Sequence, residues 1–129
     1  MKNPFEQGST KQFVTTVTPD KTAAFDSGEV HPLYSTFALG RDAEWACRLF
    51  VLDMKEDFEE GIGTFLSVHH LAPAPVNAEI LFIATLEYVK GNTVHCSWEA
   101  LHGQRKIAKG EQTQKILPKE TLENIIRSL

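Results

Sequence analysis

The sequence predicts an α+β fold in which one antiparallel sheet curls around one long helix. Leu39, Ala43, Ala46 and Phe50 recur at i, i+4, i+7 and i+11, the stripe of an amphipathic helix. On both sides of it lie segments with a period of two, rich in β-branched and aromatic residues, which mark strands. Short turn signals, Lys90-Gly91-Asn92 and His102-Gly103-Gln104, join the later segments into a meander.

Residues 1–10 are polar and are expected to be loose. Lys11 to Thr18 alternates, with Phe13, Thr15 and Val17 on one face, and Pro19-Asp20 ends it. Lys21 to Tyr34 has no clear period, so a loop or lid with at most one short turn is expected there. Ser35 or Thr36 can cap the helix. The acidic run Asp53 to Glu60 and then Gly61 close it. Ile62 to Leu71 reads as a strand, which Pro73 and Pro75 break. Asn77 to Val89 and Thr93 to His102 are the next two strands. Arg105 to Leu117 is the last strand, with Gly110 as a bulge. Pro118 then opens a short C-terminal helix over 118–129, with Leu122, Ile125, Ile126 and Leu129 on its apolar face. One sheet and one apolar helix bury each other's faces only if the sheet wraps the helix, which is the hot-dog arrangement. All of 1–129 forms a single domain. Its open sheet edges call for a homodimer or higher homo-oligomer.

The bulk composition narrows the function classes. Seventeen acids against thirteen lysines and arginines give a net charge of −4, which argues against a nucleic-acid binder. The first residues lack a signal-peptide core, and no run reaches the length of a membrane span, so a cytoplasmic protein is expected. Cys47 and Cys96 are far apart in apolar surroundings and read as reduced thiols. There is no C-x-x-C, so no metal site is expected.

The helix start, Thr36 to Cys47, is apolar yet carries Glu44 between Ala43 and Trp45. A carboxylate drawn out of water is costly unless it is paired or used. Its plainer reading is a pair with Arg48 at i+4. Histidine suits acid–base work near neutral pH. His69 and His70 are adjacent on a strand and point to opposite faces, which argues against one shared metal. His31, His69, His95 and His102 are read as structural. Thr36 is read as a helix cap, but a hydroxyl there also lies beside free N–H groups suited to an oxyanion.

The run Thr36 to Cys47, with Glu eight residues after Thr and then Trp-Ala-Cys, resembles the helix start of the fluoroacetyl-CoA thioesterase family of hot-dog proteins. The run Gly61 to Pro73, with Gly63-Thr64 and Val68-His69-His70, is similar to that family's next strand. The resemblance implies acyl-CoA hydrolysis with Thr36, Glu44 and His70 as the catalytic set, and with Gly63 helping to hold the thioester carbonyl. Two departures stand out. Gln114 occupies the place of a family arginine near the thioester end, among the expected substrate contacts. The lid segment Asp26 to Tyr34 is shorter, and Phe25, Tyr34 and Phe37 are its candidates for packing on the acyl group. Fluorinated selectivity is therefore not expected, and a short or small acyl thioester is. Arg105, Lys106, Lys109 and Lys115 form a basic cluster that could meet CoA phosphates, though a solvated strand face is the plainer reading.

Eight residues of helix rise about 12 Å, so Thr36 and Glu44 cannot both touch one thioester carbon on a straight helix. Either Thr36 sits on a fold-back or a second subunit completes the site, and the second is favoured. No cofactor is expected, because CoA is part of the substrate. The alternatives are a non-catalytic acyl-CoA-binding module, favoured by Gln114, and a dimer whose function is interaction.

Overall fold

The computed structural model describes the whole chain, Met1–Leu129. In order, it runs β1 (Thr10–Thr16), a 3-10 turn (Pro19–Lys21), β2 (Thr22–Phe25), β3 (Gly28–Tyr34), α1 (Thr36–Met54), β4 (Glu59–Leu66), β5 (His69–His70), β6 (Glu79–Lys90), β7 (Thr93–His102), β8 (Arg105–Pro118) and α2 (Lys119–Arg127). The main sheet is antiparallel in the order β1-β6-β7-β8-β4, and β5 continues the line of β4 along β8. Gly91 and Gly103, both at positive φ, make the tight turns on either side of β7.

Alternation along β6 and β7 turns Ile80, Phe82, Ala84, Leu86, Val94, Cys96, Trp98 and Ala100 to one face. That face closes over Leu39, Ala43, Ala46, Cys47, Phe50 and Val51 of α1 to form one core. Each fully buried large side chain there contributes roughly 1.5–3 kcal/mol. The wrapped helix of the hot-dog arrangement is thus present. No helix is long and apolar enough to cross a membrane.

Four expectations need correction. Lys21 to Tyr34 is not a loop: Thr22 to Tyr34 forms the β2–β3 hairpin, turned at Asp26-Ser27-Gly28 with Gly28 at positive φ. Its pairing shifts register twice and most of its side chains are exposed, so no period of two survives in the sequence. The N-terminal ten residues are not loose. The amino group of Met1 pairs with Glu59 at 2.7 Å, Phe5 meets Phe50 edge-on at 5.0 Å, and Gly8 and Ser9 bond to the backbone of Leu86. The bulge of β8 falls at Ile107, skipped between Ala100↔Ala108 and Leu101↔Lys106, while Gly110 pairs regularly with Trp98. The strand expected over Ile62–Leu71 starts earlier, at Glu59, bulges at Thr64 and breaks at Ser67-Val68. α2 forms as expected, yet none of its residues is buried.

Candidate active site

Ser35, not Thr36, caps α1: its side chain accepts from the Ala38 N–H at 3.0 Å. Thr36 is therefore the first helical residue, with its hydroxyl free for other work. Thr36 Oγ1 lies 2.9 Å from Nδ1 of His70 on β5. The N–H groups of Thr36 and Phe37 have no acceptor within the chain. A hydroxyl, an imidazole and two open donors thus meet at the positive end of a helix.

His70 is half-buried, and Nε2 has no hydrogen-bond partner. Burial pushes its pKa below the usual 6.5; the Ala72 backbone offsets part of this, and nearby His31 adds to it. The ring is neutral at pH 7, and Nδ1 can accept the Thr36 proton. His69 points to the other face of the sheet, into a shallow depression of about 460 Å³ with Lys106, Lys109 and Glu99.

Glu44 does not join this pair within the chain. Its Oε1 accepts from Gln112 Nε2 at 3.3 Å. It also lies so close to Gly63 that a methyl group there would sit 2.1 Å away. Arg48 does not serve it: that guanidinium bonds Glu60 at 2.5 Å and the Gly61 carbonyl at 3.3 Å. The expected Thr36–Glu44–His70 set is split into a Thr36–His70 pair and a Glu44–Gly63 contact. Gln114, expected to face substrate, is 2% exposed, and its amide serves Gln112. Alternation along β8 turns it into the core, so it stands behind the site and not on its surface.

The Thr36–His70 pair opens onto a groove of about 1430 Å³ between α1 and the hairpin. Phe25, Val30, Phe37 and Trp45 line it, and Phe37 is 86% exposed. Tyr34, a candidate for packing on the acyl group, lies on the inner wall of the groove but is almost fully buried. Its hydroxyl donates to Asp42, which also holds Lys21 Nζ at 3.1 Å. Burial and then Asp42 push the tyrosine pKa far up, so it stays a neutral donor. This knot ties the hairpin base to α1. Sequence reasoning missed Lys21, Asp42 and the groove position of His31. Asp42 carried the same signal as Glu44, an acid on the apolar helix. Cys47 and Cys96 are buried free thiols; their mutual contact and burial push the Cys47 thiol far up, so it is no nucleophile.

Residues 17–120 match the family model of the fluoroacetyl-CoA-specific thioesterase FlK. A Thermus thermophilus hypothetical protein, a thioesterase superfamily member, is 35% identical, with a TM-score of 0.92 over 97% of this chain and 93% of that one. A structure of FlK superposes with a TM-score of 0.88 at 22% identity over 96% of each chain. A hot-dog-like protein from Thermanaerovibrio acidaminovorans does so with 0.86 at 23% identity, over 96% of this chain and 92% of that one. No curated protein matches. The wrapped helix, the agreement with solved structures and the match over most of the length lead to one conclusion: this chain is a hot-dog protein and belongs to the fluoroacetyl-CoA-specific thioesterase family.

Proposed function

We propose that the protein hydrolyses an acyl-CoA thioester to CoA and a carboxylate, at a site completed by a second subunit. The carrying observation is the Thr36–His70 contact of 2.9 Å on the wall of an apolar groove. A hydroxyl bonded to a neutral imidazole is an activated nucleophile. Thr36 Oγ1 attacks the thioester carbon as its proton passes to His70 Nδ1. The negative charge on the carbonyl oxygen faces the open N–H groups at the start of α1. The C–S bond then breaks, and the CoA sulfur takes the proton from His70. Water then attacks the acyl–Thr36 ester: Glu44 of the partner subunit takes a proton from the water, the C–O bond to Thr36 breaks, and that proton passes on to Thr36 Oγ1 as the carboxylate product leaves. The groove exceeds the roughly 300–1,000 Å³ of ordinary ligand pockets. It has room for the pantetheine arm and an acyl group against Phe25, Phe37 and Trp45. Gly63 keeps space beside Glu44.

The test is hydrolysis of acetyl-, butyryl-, hexanoyl- and benzoyl-CoA, followed with a thiol reagent. Thr36→Ala, Glu44→Ala and His70→Ala are each expected to lower kcat by about 10²-fold or more while the fold is retained. Tight acyl-CoA binding without turnover on any substrate would favour the non-catalytic binding module instead. Mass spectrometry of quenched wild type is expected to show an acyl adduct on Thr36. Its absence at full turnover would leave direct attack by water, with Thr36 a positioning hydroxyl.

A further inference from the structure

The run Glu111-Gln112-Thr113-Gln114-Lys115 puts two amides where β8 faces the core. Gln112 is 0% exposed and Gln114 2%, in line with the buried Ala108 and Ile116 of the same strand. Apolar side chains of the same length would suit those positions better. A buried amide is costly unless it is hydrogen-bonded.

Both are bonded, and in one direction. Gln114 Nε2 donates to Gln112 Oε1 at 3.0 Å, and Gln112 Nε2 donates to Glu44 Oε1 at 3.3 Å. The orientation is self-consistent: turning the Gln112 amide over would set oxygen against carboxylate and N–H against N–H. Gln114 therefore fixes which end of Gln112 meets Glu44. No cation lies within ion-pair distance of Glu44, since Arg48 is held by Glu60. A neutral donor orients a carboxylate without cancelling its charge.

We propose that Gln112 and Gln114 form a buried amide relay that holds the Glu44 carboxylate in its working orientation against Gly63. They are positioning residues, and the proposal rests on the reading of Glu44 as a group of the hydrolytic site. It also assigns a role to Gln114, the residue that replaces the arginine expected there.

The experiment uses the full chain and whichever of acetyl-, butyryl-, hexanoyl- or benzoyl-CoA the wild type turns over fastest. Gln112→Met keeps length and removes both hydrogen bonds. It is expected to lower kcat about tenfold or more with KM little changed, as for misplacement of a reacting group. Gln114→Met is expected to do so less. Glu44→Ala/Gln112→Met is expected to be no slower than Glu44→Ala, because the relay acts through Glu44. Gln112→Met/Gln114→Met leaves no buried donor without an acceptor, so it is expected to regain the Tm lost in Gln112→Met and yet stay slow. Full kcat in Gln112→Met, with Glu44→Ala inactive, would overturn the relay alone. Recovery of kcat along with Tm in the double variant would also overturn it. Full activity in Glu44→Ala, or no turnover by wild type on any of the four substrates, would overturn the relay and the reading of Glu44 together.

Discussion

His70 shows how one side chain's surroundings decide its chemistry. Burial, partly offset by the Ala72 backbone, and the neighbouring His31 hold its pKa below the usual 6.5. A base must be neutral, so kcat/KM is expected to rise with pH through this lowered pKa and to be flat from about neutral pH upward. The stability effect has the same sign. Below 6.5 the unfolded chain takes up a proton that the folded site resists, so stability falls as pH drops through that window. His31→Ala removes a neighbouring positive charge and is expected to move the acid limb of the rate profile to higher pH. An unchanged limb in that variant would show that His31 does not act on His70. The residue-level chemistry was partly legible. Glu44 stood out as an acid on an apolar stripe, whereas the pairing of Thr36 with His70 needed the path of β5 across β8, which no local pattern encodes.

At the level of elements, the decisive junction is the break between β4 and β5. Gly110 of β8 lies under it: an added methyl would sit 1.9 Å from the Ser67 carbonyl oxygen and 2.8 Å from the Trp98 ring. The Ser67 backbone cannot easily retreat. Its N–H donates to the Glu111 carbonyl at 2.9 Å, and its side chain accepts the Glu111 N–H at 2.9 Å. Gly110→Ala is expected to cost about 1–3 kcal/mol of stability, as overpacking does. It should also shift His70, three residues beyond Ser67, away from Thr36, so activity falls by about 10²-fold per ångström of misplacement. Thermal melts and kcat measured on the same sample check both; an unchanged Tm would contradict the close approach. The long strands and α1 were legible because one face of each is buried, and burial writes a period into the sequence. The β2–β3 hairpin was not, because side chains exposed on both faces are free of that constraint. A glycine inside a strand signals either a bulge or a close backbone approach; the bulge lies at Ile107, so Gly110 serves the close approach and not the bulge expected of it.

At the scale of the whole molecule, the proposed second subunit needs a surface to dock on, and the sheet edge supplies one. The outer edge of β4 is unpaired, and Phe65 and Leu66 on it are 51% and 38% exposed. Trp45 and Leu52 on α1 are exposed as well, at 42% and 39%. An apolar strand edge left bare invites pairing with another chain. Gly63, beside Glu44, lies on this same edge, whereas Thr36 sits about two helical turns away. In the proposed dimer the β4 edges meet, and Glu44 of one subunit serves the Thr36–His70 pair of the other. That arrangement makes a sharp prediction. Glu44→Ala and Thr36→Ala dimers are each inactive. Unfolded together and refolded as a mixture, they give heterodimers in which one site carries both substitutions and the other carries neither. With random pairing, about half the dimers are mixed, and activity is expected to return to about a quarter of wild type. If each chain completed its own site, the mixed dimer would hold two damaged sites and nothing would return. Sedimentation of the refolded mixture confirms that dimers formed, so a silent mixture of intact dimers counts against the shared site itself.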